Sequence, residues 1–214
     1  SGCGKIIGVN IGLVLPPTTD WTWVKDLYEG INLALKHFGG SILGGDCSLG
    51  KEKVISMTAI GTQGKIKLRR NACKPGEIIL TTGIHGLSKL GLMVQSKAIF
   101  DNNVFLTETL INRSIKQFCQ PKLKPEFHNK LLKSRSNKNL SKVGCTDSSD
   151  GFFQALKDLS IASNCKAIID YKKIPKHDNW PRGEEWDKYY FFGGEDYELV
   201  FSLPKKWARN LLNL

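Results

Sequence analysis

The spacing of apolar residues in the first forty positions predicts a strand followed by a helix. Residues 6–15 are rich in Ile and Val and alternate loosely with polar positions, and a Pro-Pro pair ends that strand. From Val24 to Phe38 the apolar residues recur every three or four positions, which is the spacing of one helical face. Thr18, Thr19 and Asp20 are candidate N-caps for this helix, and the two glycines after Phe38 are expected to end it.

The same patterns predict further strands and helices along the rest of the chain. Strands are expected at 41–43, 54–60, 77–82, 166–171 and 197–201. Helices are expected at 88–100, at 105–118 and after Asp150, where Phe152, Leu156 and Leu159 fall on one face. Residues 172–190 are polar and are predicted to form a long loop. Because strands and helices are mixed without strict alternation, the pattern favours an α+β fold.

Composition is that of a globular protein with a basic surplus. The chain has 214 residues, 41% of them hydrophobic and 24% charged, and a formal net charge of +11. Residues 113–142 contain nine Lys or Arg and a single acidic residue, and this basic stretch is predicted to include an exposed, mobile loop at 133–142. No aromatic interleaving or known nucleic-acid motif accompanies the charge, so we expect no nucleic-acid partner.

The pattern of cysteines and the shortness of the apolar runs favour a cytoplasmic location. Six cysteines are scattered without a C-x-x-C pair, which favours reduced thiols in a cytoplasmic protein over a disulfide framework or a zinc site. No run approaches the ~18 apolar residues that a membrane span needs, so we expect no membrane association. The sequence starts at Ser1 without methionine, and we expect this point to lie inside a domain.

A glycine-rich segment at residues 44–51 is the first candidate site. It resembles a P-loop but is one residue short, and Glu52 stands where Ser or Thr would bind magnesium. A P-loop also opens a helix, whereas a strand is predicted to follow here, so we reject a P-loop. We expect instead a Gly-Gly turn at a strand end in which Asp46 could hold a metal ion, with an ordinary turn as the alternative.

The second candidate is the segment 147–151 at a predicted helix start. Asp147 and Asp150 could grip Mg²⁺ while Ser149 and free backbone N–H groups meet a phosphate. The alternative is a simple N-cap with an acidic first turn. Both interpretations stay open at this point.

Two more candidates complete the set. The segment 193–199 places three acids after a Gly-Gly pair, and this poor opening for a strand is of the kind often kept for a site. Arg70, in a basic turn, could contact a phosphate. His85 lies in a glycine-bearing turn and is predicted to be a surface residue.

Taken together and in this order, these segments resemble the thiamine-monophosphate kinase family, in the superfamily of aminoimidazole ribonucleotide synthetase. The matching motifs are Gly44-Gly-Asp46 with Thr58-Ala-Ile-Gly61, Arg70 through Gly76, Gly83-x-x-Gly86-x-Ser88-x-x-Gly91-Leu92, Asp147-x-Ser-Asp-Gly151, and Gly193-Gly-Glu-Asp-Tyr-Glu-Leu199. The last of these is the most specific. Two departures are Cys47, where the family usually has Thr, and Phe152, where Leu is usual.

The resemblance implies a two-domain α+β architecture and a homodimer with ATP bound near its interface. Residues 1–62 would be the C-terminal part of an ATP-binding, dimerising N-terminal domain, and 63–214 a C-terminal synthetase-like domain that lacks its last segment. The N-terminal domain would be incomplete, and further metal-binding and substrate-binding residues would lie outside the chain. The implied magnesium ligands are Asp46, Asp147 and Asp150, the implied ATP contacts are Gly45, Asp46, Arg70, Ser149 and, as a looser match, Tyr28, and Glu195 would contact the substrate.

The reaction implied by the resemblance transfers the γ-phosphoryl group of ATP to thiamine monophosphate. The acceptor oxygen is already anionic near neutral pH, so the protein needs to position reactants and neutralise charge rather than supply a base. Alternatives are another ATP-dependent member of the superfamily, or a truncated homologue that keeps only nucleotide binding or dimerisation. A nucleic-acid-binding module would rest on the net charge alone.

Overall fold

The computed structural model describes residues 4–98 and 105–214 of the chain. These residues form two compact units, one up to Lys65 and the other from Ile66 onward. Among the helices so described, none combines the length and the apolar content needed to cross a membrane.

The first unit is a three-stranded sheet with one helix. Its elements are β1 (Lys5–Leu15), α1 (Trp21–Phe38), β2 (Ser41–Leu49) and β3 (Val54–Thr62). The strand order is β2-β1-β3, with β1 parallel to β2 and antiparallel to β3. Alternate residues of β1 are buried and contact the apolar face of α1, as the period of two requires. The predicted first strand and first helix are confirmed.

The ends of α1 follow the local chemistry that the sequence shows. The Asp20 side chain accepts a hydrogen bond from the backbone N–H of Thr22, which satisfies one of the free donors at a helix start. At the other end Gly39 has φ +87°, a left-handed conformation that glycine adopts without steric cost. The helix therefore begins after Asp20, one of the three candidate caps, and ends at the predicted glycine pair.

The predicted turn at Gly44-Gly45-Asp46 is wrong, because these residues lie inside strand β2. Gly45 pairs with Ile11 of β1 and Asp46 pairs with Gly12. The register shifts by one residue just before Gly44, which marks a β-bulge. Pairing with the long central strand carries the chain through two residues that by themselves favour a turn, so the sequence pattern gave the wrong local structure.

The second unit is a four-stranded sheet with six helices in the described residues. The strands are β4 (Lys67–Arg69), β5 (Ile78–Thr81), β6 (Lys142–Asp147) and β7 (Leu199–Leu203), in the order β4-β6-β7-β5. The helices are α2 (Leu87–Gln95), α3 (Glu108–Cys119), α4 (Phe127–Ser134), α5 (Phe152–Ser163), α6 (Glu184–Phe192) and α7 (Lys205–Leu212). The main core gathers buried residues of α2, α3, α5 and α6 with Val200 of β7.

Several predicted elements of this unit need correction. The predicted strand at 166–171 is absent from the described residues, where this segment is irregular and ends in a short 3-10 turn. The predicted loop at 172–190 contains most of α6, whose Trp186 and Tyr190 are buried in the core. The helix predicted at 88–100 ends at Gln95, and residues 99–100 lie outside the described part of the chain. Strand β6 was not predicted.

About half of the basic stretch is helical, since it includes the second half of α3 and all of α4. Residues 120–126 and 135–141 have neither helix nor strand, and the second of these ranges covers most of the loop predicted at 133–142. The indole N–H of Trp207 donates hydrogen bonds to the Leu131 carbonyl and the Ser134 hydroxyl, at 3.1 and 3.0 Å. This part of the basic stretch therefore packs on α7 through buried residues, and its lysines lie on the solvent side.

Candidate functional site

Two of the sequence motifs lie side by side in the second unit. Strand β6 ends in Asp147, strand β7 begins at Leu199, and these two residues are antiparallel partners. The loop after β6 and the segment before β7 are joined by backbone hydrogen bonds from Ser148 N to Glu198 O and from Glu195 N to Ser149 O, each 2.8 Å. The fold thus brings together segments that are almost fifty residues apart in sequence.

Glycine is required where these two segments touch. A side chain at Gly194 would collide with the carbonyl oxygen of Ser149, and a Cβ at Gly151 would lie 3.1 Å from the carbonyl oxygen of Gly193. Gly151 also has φ +99°, which L side chains rarely adopt. The glycines of both motifs therefore serve close backbone packing at this junction.

In the segment before β7, an unusual backbone leaves one acidic side chain exposed and two buried. Glu195 and Tyr197 have φ of +68° and +53°, in the left-handed region that costs non-glycine residues strain. Their side chains meet, since the Tyr197 hydroxyl donates to the Glu195 carboxylate at 2.6 Å. The intervening Asp196 and the following Glu198 are buried instead. Strain of this kind in non-glycine residues is concentrated at functional sites.

Asp196 binds the start of helix α2. Its carboxylate accepts hydrogen bonds from the backbone N–H groups of Gly86 at 2.6 Å and Ser88 at 2.8 Å. Burial raises the pKa of Asp196 to about 6, although these hydrogen bonds act in the opposite direction. No role for Asp196 could be predicted from the sequence, because a capping residue more than a hundred positions away from its helix leaves no local signal.

Glu198 is also buried, and it is neutralised by a lysine of the basic stretch. The Lys124 ammonium lies 2.8 Å from the Glu198 carboxylate and also donates to the Thr82 carbonyl. The Thr82 hydroxyl donates to the same carboxylate. One charge of the basic stretch therefore holds the segment before β7 in place.

Arg70, Asp147 and Ser149 lie together at the end of β6. The Arg70 Nε–H donates to the Thr146 hydroxyl at 3.0 Å, and its guanidinium lies 3.7 Å from the Asp158 carboxylate. A hydrogen bond from the Ser149 side chain is the main cause that holds the pKa of Asp147 below its usual range, and Arg70 adds to it. Asp147 is therefore an anion at neutral pH, beside an exposed arginine that could contact phosphate.

Asp150 and Glu195 meet in one pocket of about 310 Å³ within the second unit. The start of α2, α3 and the two motif loops line it with the residues Ser88, Lys89, Leu92, Phe118, Asp150, Gly194 and Glu195. Two residues predicted from different motifs, one as a metal ligand and one as a substrate contact, thus share a concave site. The pocket also contains Lys89, which sequence reasoning did not single out.

The donor set near this pocket suits a hard divalent cation. Asp147 and Asp150 supply carboxylate oxygens three residues apart, the ligand type that Mg²⁺ prefers, and Mg²⁺ commonly uses one or two carboxylates with waters and substrate phosphates. Among residues 4–98 and 105–214, no group of three or more His, Cys, Asp or Glu side chains forms a ready metal cluster. The described residues therefore fit a metal bound together with phosphates better than a closed protein cage.

The remaining predicted residues lie in the first unit. Asp46 is exposed on β2 and accepts a weak hydrogen bond from the Ser48 hydroxyl. A side chain at Gly45 would collide with the Ile11 carbonyl oxygen, so this glycine is needed for strand pairing whatever else it does. Tyr28 of α1 lines a largely apolar groove of about 730 Å³ with Trp21 and other residues of α1, β1 and β2.

His85 is buried rather than on the surface, contrary to the prediction. Its ring stacks on Phe152 with centroids 4.5 Å apart, and Nε2 lies 2.8 Å from the Thr81 hydroxyl oxygen. Burial, helped by the charge of Lys124, lowers the pKa of His85 to about 4. It is a neutral core residue at physiological pH.

Comparison with known proteins gives a consistent result. Residues 2–63 match the family model described as AIR synthase related protein, N-terminal domain. A thiamine-monophosphate kinase of Prochlorococcus marinus is 41% identical over 209 residues, which cover 98% of this chain and 63% of that protein. The chain thus spans less than two thirds of the length of that relative.

Solved structures agree with the fold. The thiamine-monophosphate kinase from Stenotrophomonas maltophilia K279a superposes with a TM-score of 0.81 at 20% identity, over 99% of this chain and 66% of its own. A structure described as AaThiL complexed with AMPPCP and TMP gives a TM-score of 0.75 at 22% identity, over 96% and 64%. The predicted α+β, aminoimidazole ribonucleotide synthetase-like fold is confirmed.

Proposed function

Because the chain is homologous to part of the thiamine-monophosphate kinases, we propose that it transfers the γ-phosphoryl group of ATP to thiamine monophosphate, giving thiamine diphosphate. The structural observation that carries the proposal is the pocket that joins Asp150 of one motif to Glu195 of the other. The identity of 41% along nearly the whole chain supports the same assignment.

We assign the following roles within this proposal. Asp46, Asp147 and Asp150 are magnesium ligands, Gly45, Asp46, Arg70, Ser149 and Tyr28 contact ATP, and Glu195 contacts thiamine monophosphate. The low pKa of Asp147 supports its role, since a metal ligand must be ionised. The exposed guanidinium of Arg70 beside it supports a phosphate contact.

The proposed chemistry needs no side-chain base. The phosphate of thiamine monophosphate is anionic near neutral pH, and one of its oxygens can attack the γ-phosphorus directly while the bond to the β,γ-bridging oxygen breaks and ADP leaves. The protein therefore contributes positioning and charge neutralisation. Bound magnesium would offset the negative charges of the two phosphorylated reactants. Asp147 and Asp150 would hold the metal, and Arg70 would supply fixed positive charge to the phosphates.

We also propose that the protein is a cytoplasmic homodimer. Strand β3 lies at the edge of its sheet, and Val54, Ile55, Met57 and Ile60 on it are each 41–50% exposed. An exposed apolar edge strand is a surface that proteins normally cover. Sedimentation equilibrium of the purified chain tests the assembly, and a stable monomer at micromolar concentration would refute it. The six cysteines, which are scattered without a C-x-x-C pair, support the cytoplasmic location.

The test of the activity is formation of thiamine diphosphate from ATP, Mg²⁺ and thiamine monophosphate by the 214-residue chain. Asp150→Ala should lower the rate about 100-fold or more, because metal coordination stabilises the transition state by several kcal/mol. Asp178→Ala is the matched control, since Asp178 is an exposed acid of the same unit outside the pocket, and it should keep the rate.

Binding measurements separate the possible failures. Thermal stabilisation by Mg-ATP and by thiamine monophosphate, tested one at a time, shows whether each ligand binds. A chain that binds neither ligand and forms no product contradicts the proposal. Product formation that Asp150→Ala leaves unchanged would uphold the kinase activity and remove Asp150 from the metal site.

A further inference from the structure

Lys89 occupies a restricted position beside the pocket. It lies in the first turn of α2 and is half-buried. Its stem packs against the Gly-Gly pair that precedes Glu195, because a Cβ added to Gly193 would lie 2.6 Å from the Lys89 Cβ and 3.2 Å from its Cγ. The backbone of that pair and the helix therefore confine the stem of the side chain, and Lys89 is one of the residues that line the pocket.

A lysine is unfavourable at this point of a helix. The N-terminal turn of a helix carries a partial positive charge that favours acidic residues and opposes a cation. Lys89 is also adjacent to Ser88, whose backbone N–H is used by the buried Asp196. A residue that breaks a local preference without structural compensation is a candidate for function.

The charges that line the pocket do not neutralise one another. Within the described residues Lys89 forms no ion pair, although Asp150 and Glu195 line the same pocket. The carboxylate of Glu195 accepts a hydrogen bond from Tyr197 instead. Leu92 and the aromatic ring of Phe118 complete the lining. One cation, two anions and an apolar wall in one concave site match a ligand that carries both charges and a ring.

We propose that Lys89 binds the phosphate that thiamine monophosphate already carries and thereby makes the pocket select the phosphorylated vitamin over thiamine. This inference rests on the proposed function. The ligand is a zwitterion, with a thiazolium cation and a phosphate anion. The ammonium of Lys89 meets the phosphate, and the carboxylate of Glu195 lies on the side of the cationic ring. Thiamine has the same rings but lacks the phosphate, so it gains nothing from Lys89.

The experiment measures a selectivity ratio rather than affinity alone. Dissociation constants for thiamine monophosphate and for thiamine are determined by calorimetry at fixed salt for the wild-type chain, Lys89→Met and Lys89→Arg. Lys206→Met is the matched control, because Lys206 is also a lysine in the first turn of a helix, α7, but is exposed and does not line the pocket. Circular dichroism and melting temperature confirm that each variant is folded.

The expected result is specific to the phosphate. The wild-type chain should prefer thiamine monophosphate, and Lys89→Met should reduce that preference about 10- to 100-fold, the range of a charged hydrogen bond. Affinity for thiamine should stay within a factor of about three, since no phosphate contact is lost. Lys89→Arg should keep most of the preference, and Lys206→Met all of it.

The other outcomes separate this inference from the proposed function. If the wild-type chain prefers thiamine monophosphate and Lys89→Met keeps that preference, the role of Lys89 is refuted while the kinase assignment stands. If the wild-type chain binds neither compound, both are refuted. Equal weakening of both ligands by Lys89→Met and Lys89→Arg would show a structural role and also refute the inference.

Discussion

The buried carboxylate of Asp196 gives a prediction about the pH dependence of stability. Only 1% of this residue is exposed, and it accepts hydrogen bonds from two backbone N–H groups at the start of α2. Burial raises its pKa from the ordinary 3.8 to about 6. The perturbation that isolates this carboxyl is Asp196→Asn, which keeps the size of the side chain and removes its charge.

The sign follows from which state loses its proton first. Below pH 4 the carboxyl is protonated in both states, and the folded state holds the proton more tightly. As the pH rises from about 4 to 6 the unfolded chain releases its proton while the folded chain keeps it, so stability falls. Above about pH 6 this stabilisation by the protonated carboxyl is lost. A pKa that differs by about two units between the folded and unfolded states corresponds to about 3 kcal/mol in the free energy of unfolding.

The assay is urea unfolding of both proteins at half-unit intervals between pH 4 and pH 7.5. Buried Trp180, Trp186 and Trp207 report on the second unit by fluorescence, whereas Trp21 of the first unit is 75% exposed. The difference in unfolding free energy between the two proteins should move by about 3 kcal/mol in favour of Asp196→Asn as the pH rises. The opposite contribution of buried His85, whose lowered pKa is due to burial and Lys124, is present in both proteins and cancels.

The opposite change in stability would contradict the prediction for Asp196. If Asp196→Asn loses stability relative to the wild type as the pH rises, the two N–H donors and the helix end stabilise the anion more than burial destabilises it. The pKa of Asp196 in the folded protein would then lie below 3.8 rather than near 6. Carbon-13 NMR of the Asp196 carboxyl gives an independent reading of that pKa.

Two further predictions concern packing and charge. Gly45→Ala should destabilise the chain by about 1–3 kcal/mol, because the added Cβ would collide with the Ile11 carbonyl oxygen. Gly30→Ala is the control, since Gly30 lies in the open on α1, and it should stabilise the chain by about 0.5–1 kcal/mol. Melting temperatures that change equally in the two variants would contradict this prediction. Lys124→Met should cost about 3–5 kcal/mol in urea unfolding by leaving Glu198 buried and unpaired, and combining it with Glu198→Gln should recover much of that loss.

The local elements of the first unit could be read from the sequence because their signals are local. The Ile- and Val-rich alternation of β1, the three-to-four spacing of α1 and its cap at Asp20 each involve neighbouring residues. Local signals gave a wrong prediction at Gly44-Gly45-Asp46, where strand pairing with β1 overrides residues that favour a turn. They also gave a wrong prediction at residues 184–192, where a helix with little amphipathic pattern is held by the buried residues Trp186 and Tyr190.

The candidate site could likewise be predicted only in part from the sequence. The sequence identified Asp150 and Glu195 as chemically unusual, but only the pairing of β6 with β7 places them in one pocket. Lys89 was not predicted as a site residue, because Gly193 and the two acids that line the pocket with it are distant in sequence and become its neighbours only in the folded chain.

Residue types and glycine-bearing motifs are local features, so the amino-acid sequence was sufficient to predict an α+β fold and to suggest an oxygen-rich site for metal and phosphate. Which acids are exposed and which are buried depends on the folded chain. Glu195 and Tyr197 adopt left-handed backbone, so Glu195 faces the pocket while Asp196 caps α2 and Glu198 pairs with Lys124. Partners so distant in sequence are fixed by the packing of the whole unit, which no local pattern contains.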